Sequence, residues 1–546
     1  MNKLLFLTGC IQCIMTVILL SCDSSDRIEK PGVLVPVIPY PNDVRVYEGF
    51  FTLDSLTGIE ISSEEQKKVA DWFSRELGES FGWSCPVGSS LEEKNKIELT
   101  QNDELGDEAY LLDISGTNIS IKASSEAGYF YAFQTVLQLI PVSEEKNVLS
   151  HVEIPQATVR DRPRFFWRSV LLDLSRHFFG PASIKKIIDQ MAAQKMNRLH
   201  LHLTDNEGWR IEIKEYPELH EIGSQGDRSN PDGPALYLTE EEARDITAYA
   251  NERQIVMIPE IEMPGHSGAI GKAYPDFSGG NNTLNIANED AIKMHEVVIL
   301  RVADIFNTHY VHFGSDEVRG HDWEGRAEMR AKMDELGLTN QKEFEGWFDR
   351  RMADFIVNSG LTPVAWDEAS DFGINKNTIV QWWRCLQPET LDTAAGRGYD
   401  IIISPADYTY LDYPYNLDEA GAPWEGLHNG GNSTELIYMW DPVPETFNDT
   451  EKEHVLGIEA AVWTEFIDNQ KRLEYMIFPR LSAVAETAWT YYENKDWKAF
   501  QERLTSQYKR YENAGINYRI PNMGIEERKR YQPEAFEGPL PADRQL

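Results

Sequence analysis

The chain has 546 residues, enough for about two domains, one of them large. Hydrophobic residues make up 41% and charged residues 26%, which excludes a largely disordered chain. Lys and Arg number 52 against 89 Asp and Glu, a formal charge of −37 that disfavours nucleic acid and anionic lipid surfaces as partners. Aromatic residues reach 11%, a weak pointer to a site that uses flat aromatic faces.

The first predicted element is a targeting segment over residues 1–21. Lys3 precedes an apolar run from Leu4 to Leu20, and Leu19-Leu20-Ser21-Cys22 follows. This pattern resembles the lipobox of bacterial lipoproteins, which implies cleavage before Cys22 and a lipid on its thiol. The expected location is the envelope of a Gram-negative bacterium, with membrane contact only through that lipid. Residues 22–43 read as an acidic tether and an extended lead-in with Pro39-Tyr40-Pro41. After loss of Cys10 and Cys13 with the signal, Cys85 and Cys385 remain besides Cys22. They form neither a disulfide framework nor a CxxC metal spacing.

Residues 44–158 predict a small α/β domain. Glu64–Leu77 places Val69, Ala70, Phe73 and Leu77 on one helical face. Ile97–Leu99, Ala109–Ile114 and Ile119–Ala123 alternate as strands do. Gly116-Thr117-Asn118 supplies a hairpin turn between the last two, and Tyr129–Ile140 predicts a second helix. Arg160-Asp161-Arg162-Pro163 marks a boundary. Residues 159–499 then repeat apolar strand, loop and helix. Strands are expected at Phe166–Leu174, Leu199–Leu203, Ile255–Ile261, Tyr310–Gly314, Pro363–Trp366, Ile379–Trp383, Ile401–Ser404 and Leu456–Trp463. The intervening helices include Thr239–Glu252, capped by Thr239, and a closing helix Leu473–Trp489. Eight continuous apolar runs fit a parallel (β/α)8 TIM barrel, and no Gly-rich dinucleotide loop supports an open doubly wound sheet. Residues 500–546 read as a polar helix and tail.

Barrel enzymes carry their chemistry at the C-terminal ends of the strands. Those ends hold Asp173-x-Ser-Arg176-His177, His200-x-His202-x-x-Asp205, Glu260-x-Glu262-x-x-Gly265-His266 and His312-x-x-Ser-Asp316-Glu317. Trp366-Asp367-Glu368, Trp382-Trp383-Arg384, Tyr410-x-Asp412 and Trp463-Thr464-Glu465 follow. In this order, over about residues 30–490, the motifs resemble glycoside hydrolase family 20, which contains the β-N-acetylhexosaminidases. Two positions depart from its pattern: Ser315 stands where Gly is usual, and Asn206 where a second Asp is common.

The resemblance implies an exo-acting, retaining enzyme without metal or cofactor. It would remove terminal β-linked N-acetylglucosamine or N-acetylgalactosamine from a glycan. The substrate's own acetamido oxygen would attack C1, as in the substrate-assisted exceptions to the two-carboxylate scheme. Glu317 is then the general acid and base, and Asp316 holds the acetamido N–H and stabilises the oxazolinium. Tyr410 donates to the acetamido oxygen, while Asp205 and His266 form a relay behind the acid. Trp366, Trp383 and Trp463 box the sugar and its methyl. Arg176, Asp412 and Glu465 hold the hydroxyls. Arg384, next to Trp383, reads either as a sulfate contact or as an ion-paired surface arginine.

Two alternatives compete. His200-x-His202 with His266, His312 and Asp316 could serve a metal-dependent barrel hydrolase. A non-catalytic glycan-binding lipoprotein would keep the tryptophans but has no need of Asp316-Glu317.

Overall fold

The computed structural model describes residues 27–90, 95–142, 149–318, 323–416, 418–419, 421–422 and 431–533. The signal segment and Cys22 lie outside them.

A seven-stranded mixed sheet forms the first part of the chain. Its spatial order is Asp43–Asp54, His151–Asp161, Tyr110–Ile114, Asn118–Ala123, Lys96–Gln101, Gly58–Glu60 and Val87–Gly88. The expected hairpin pairs Ile114 with Ile119 in antiparallel register. Helix Glu64–Phe81 starts at Ser63, whose hydroxyl accepts from the Gln66 N–H, and stops at left-handed Gly82. It buries its apolar stripe against helix Glu126–Leu139: Phe73 stacks on Phe133 at 4.2 Å between centroids, and Trp72 meets Phe130 at 4.5 Å.

The second part is a closed eight-stranded barrel. Its strands are β1 (Trp167–Asp173), β2 (Arg198–His202), β3 (Val256–Met263), β4 (Tyr310–Gly314), β5 (Thr362–Trp366), β6 (Ile379–Trp382), β7 (Ile401–Ile403) and β8 (Val455–Val462). Each pairs in parallel with the next, and β8 closes on β1 from Gly457↔Trp167 to Val462↔Leu172. Every residue of β1 and β2 is buried, as expected when helices cover the outside and side chains fill the inside. Thr239 caps its helix through a full capping box with Glu242. The expected helix over 473–489 is two helices, Gln470–Ile477 and Arg480–Trp489. Pro479 cannot donate a helical N–H, so the ladder breaks there.

The small domain meets the barrel at the beginnings of β1 and β2, the end opposite the motifs. Asp161 accepts from Tyr110 at 2.7 Å, from the buried Lys195 ammonium at 3.0 Å and from the Trp489 indole at 3.0 Å. Arg168, at the start of β1, makes a forked pair with Glu108 at 2.7 and 2.9 Å. Helix Trp497–Asn513 adds a buried Arg503–Glu486 pair at 2.5 Å.

Candidate active site

The eight strand ends converge on one polar face. Beyond β4 the backbone turns sharply: Gly314, Ser315 and Glu317 have φ of +70°, +78° and +48°. A Cβ on Gly314 would lie 2.0 Å from the Glu262 carboxylate, so the close approach demands glycine. Ser315 enters the left-handed region at a cost of about 1–2 kcal/mol. Its buried hydroxyl donates to Asp349 at 2.7 Å. This turn presents Asp316 and Glu317 to the same imidazole: His266 Nε2 lies 3.5 Å from a carboxylate oxygen of each. Asp316 Oδ1 is buried without a hydrogen-bond partner among the described residues. The Glu317 side chain stands 44% exposed at the rim, where it can meet a leaving group.

Behind this pair runs a chain of charges. His266 Nδ1 is 3.1 Å from Asp205 Oδ1, and Arg176 reaches Asp205 Oδ2 at 2.6 Å. Burial opposes a charge on His266, but Asp205 and Asp316 outweigh it and raise its pKa well above the usual value. Burial also works against ionised Asp205, yet Arg176, His266 and His202 hold it well below the usual carboxylate range. Arg176 is anchored further by Asp173 at 3.4 Å and faces Glu465 at 3.7 Å. Its guanidinium lies 5.1 Å from the Trp463 ring.

The aromatic side chains close into a box. Trp366 and Trp463 are 5.9 Å apart, Tyr410 and Trp463 6.0 Å, and Trp383 and Tyr410 6.4 Å with nearly parallel rings. Burial first, and Tyr413 second, push the Tyr410 phenol up, so it remains a neutral donor. Asp412 is buried two residues beyond Tyr410 and acts electrostatically on its phenol. Trp382 points away and donates to Thr390 at 3.0 Å, as a packing residue does. Cavities of about 310 and 260 Å3 flank Glu317, one toward Trp383 and Leu386, the other toward Arg176 and Asn282.

The structure thus brings Arg176, Asp205, His266, Asp316, Glu317, Trp366, Trp383, Tyr410, Trp463 and Glu465 into one set of contacts. Arg384 takes the ion-paired alternative: its Nε donates to Asp367 at 2.7 Å, with Asp371 at 3.4 Å. The His200 and His202 rings lie within β2, buried against the carboxylates of Glu459, Glu260 and Asp205. Several supporting residues carry roles that the sequence alone did not assign, although Glu260 and Glu368 lie within its motifs. Glu368 accepts the Trp383 indole N–H at 3.1 Å, and Asn432 holds the Tyr410 and Ala406 carbonyls at 2.9 Å each. Glu260 accepts the Trp366 indole N–H at 2.9 Å. A carboxylate within an otherwise apolar strand was the available signal for Glu260.

Comparison with known proteins agrees with this geometry. Residues 165–492 match the glycosyl hydrolase family 20 catalytic domain, and residues 34–162 match domain 2 of that family. A β-hexosaminidase of Vibrio furnissii is 33% identical over 86% of this chain and 80% of its own. A β-hexosaminidase of Porphyromonas gingivalis is 33% identical over 95% of this chain and 69% of its own. Among solved structures, the Vibrio harveyi exo-β-N-acetylglucosaminidase in complex with N-acetylglucosamine superposes with a TM-score of 0.82. It is 32% identical, over 92% of this chain and 81% of that one. A mutant Streptomyces plicatus β-hexosaminidase, in complex with its product GlcNAc, gives 0.78 at 31% identity, covering 90% and 98%. With both parts of the chain matched in order, and the strand-end residues gathered around one box, the protein belongs to glycosyl hydrolase family 20.

Proposed function

We propose that this pocket hydrolyses terminal β-linked N-acetylhexosamine from glycans with substrate assistance, and that the residues named above carry the reaction. The chain is a glycoside hydrolase of the β-N-acetylhexosaminidase type, and family membership favours neither a metal hydrolase nor a non-catalytic binder. The carrying observation is that Asp316 and Glu317 crowd one imidazole nitrogen beside an aromatic box. Two carboxylates acting on opposite faces of a sugar ring would be separated across it. Family 20 is an exception to that two-carboxylate scheme, and on this ground the nucleophile is assigned to the substrate's own acetamido oxygen.

In this reading the acetamido methyl enters the box of Trp366, Trp383 and Trp463. The buried, unpartnered Asp316 Oδ1 accepts the acetamido N–H. Tyr410 donates to the carbonyl oxygen and orients it toward C1. Glu317 protonates the leaving oxygen as the C1–O bond breaks and the acetamido oxygen bonds C1. Asp316 balances the positive oxazolinium. Glu317 then takes a proton from water, which opens the ring with net retention. Charged His266, backed by Asp205, steadies Asp316 and, once Glu317 has given up its proton, the Glu317 carboxylate as well. Arg176, Asp412 and Glu465 fix the non-reducing-end hydroxyls, where a planar guanidinium suits paired acceptors.

The test is a fluorinated glycoside trap read by intact mass. The enzyme should hydrolyse β-N-acetylglucosaminides, leave plain β-glucosides nearly untouched and bind a thiazoline mimic tightly. A covalent sugar on Asp316 would overturn the mechanism. We also propose lipid attachment at Cys22 and an envelope location, supported by Leu19-Leu20-Ser21-Cys22. Mass analysis of native protein without acyl chains on Cys22 would end that reading.

A further inference from the structure

Beneath the box, the barrel interior is ionic where side-chain packing alone would call for hydrocarbon. Parallel register sets Asp173, His202, Glu260 and His312 on four successive strands at one level. All four are buried. His202 uses both ring nitrogens: Nδ1 bonds Glu260, and Nε2 lies 3.2 Å from Asp205 Oδ2. Glu260 in turn accepts the Trp366 indole N–H at 2.9 Å. His200 Nε2 and His312 Nδ1 approach the same carboxylate at 3.2 and 2.8 Å. The result is an unbroken chain from Asp205 through His202 and Glu260 to Trp366.

We propose that Glu260 and His202 are positioning residues that lock the acetamide-box wall and the acid relay to one another. The inference rests on the assignment of Trp366 to the box and Asp205 to the relay. Neither Glu260 nor His202 touches the sugar in it. A buried carboxylate must be met by donors, and each donor here belongs to a group with its own second task. The Trp366 ring cannot rotate without giving up its indole bond. Asp205 cannot shift toward the pocket without leaving His202. An imidazole with a carboxylate at each nitrogen stays doubly protonated: burial lowers its pKa, but Glu260 and Asp205 outweigh burial and raise it to about 10. His202 is then a fixed cation between two anions, and a change at either end is felt at the other.

The conservative variants separate the two arms. Glu260→Gln keeps an oxygen for Trp366 but removes the charge opposite His202. His202→Gln leaves the Glu260–Trp366 bond and removes the link to Asp205. Glu260→Ala removes both. With folded full-length protein, His202→Gln should lower kcat about tenfold on a glycoside with a poor leaving group. Its thiazoline inhibition constant should stay within about twofold. Glu260→Ala should lower kcat similarly and also raise the thiazoline constant about tenfold. In the wild type, the Trp366 indole N–H should appear in a nitrogen–proton spectrum shifted downfield by its charged acceptor. Glu260→Gln should retain that bond with a smaller shift. The double variant Glu260→Ala/His202→Gln should be no worse in kcat than Glu260→Ala alone.

A purely structural role would lower the unfolding midpoint while leaving kcat, the inhibition constant and the indole resonance unchanged, and that outcome overturns the proposal. Additive losses in the double variant overturn the coupling. If instead wild type fails to bind the thiazoline at all, the assignment of the box has failed, which is a distinguishable result.

Discussion

The small domain and the upper face of the barrel follow opposite rules. In the small domain, helix Glu64–Phe81 is capped at both ends and its apolar stripe is spent on Phe130 and Phe133. At the strand ends of the barrel, His266, Ser315 and Glu317 all hold positive φ, and Asp205, Glu260, Glu262 and His202 are buried. Burial first, and then Asp316 and Glu260, push the Glu262 carboxyl well above the usual carboxylate range. Backbone strain and buried charge are destabilising unless the surroundings hold them, and where both meet around one carboxylate pair they mark geometry that serves chemistry. The stability that tolerates them comes from elsewhere.

The sharpest way to break this contrast is Phe73→Ala. Removing a stacked core ring should cost about 3–5 kcal/mol of unfolding free energy. Denaturant titration should show that loss while kcat/KM per folded molecule stays unchanged. A parallel fall in kcat/KM would mean that the two regions are not separable. Glu317→Gln is the converse. It should leave the unfolding midpoint in place but reduce turnover about 100-fold or more on poor leaving groups, roughly 2.7 kcal/mol. Activated phenol glycosides should lose less, and equal losses on both would assign Glu317 to binding.

Arg176→Ala sits between the regions, because the guanidinium both binds and neutralises Asp205 and Glu465. Charge-assisted hydrogen bonds contribute ~1.5–3 kcal/mol each, so kcat/KM should drop at least tenfold, with some loss of stability. Steady-state kinetics unchanged in a folded variant would remove Arg176 from the site.

The last effect is one of pH. Burial acts against charge on His200 and His202, but nearby carboxylates raise them to about 9 and about 10. Raised histidines contribute stability that is complete below their unfolded value, about 6.5, and is lost as pH rises through 9 to 10. Thermal unfolding followed from pH 6.5 to 10.5 should therefore decline, and His202→Gln should flatten the decline. An identical slope in the variant would place the ionic layer outside the alkaline transition.

The barrel was legible because its strands are continuous apolar runs: all eight expected strands appear, Tyr310–Gly314 with the same ends. The small sheet was harder. Asp43–Asp54 is largely solvent-facing and bulges between Val46 and Phe50, and His151–Asp161 carries Pro155 at its pairing edge. Neither gives a clean alternation. The residues proposed for the site were readable as a recurring type at strand ends. Their supporting shell was not, because the meeting of Glu260 with His202 and Trp366 is fixed by register between strands 58 and 106 residues apart. Ser315 was visible as a departure, but its bond to Asp349, on the helix Gln341–Asn358, belongs to tertiary structure.

The Asp161 cluster bears on how such a chain is inherited. Tyr110, Glu108 and Asp161 come from one part, and Lys195, Arg168 and Trp489 from the other. The Arg162-Pro163 junction looks like a seam, yet charge and indole partners cross it on both sides. A recombination event that exchanged the first 162 residues for an unrelated module would strip those partners and bare Trp489. The two parts are therefore joined by shared partners, and a substitution at Asp161 would be felt at Lys195 and Trp489 beyond the junction.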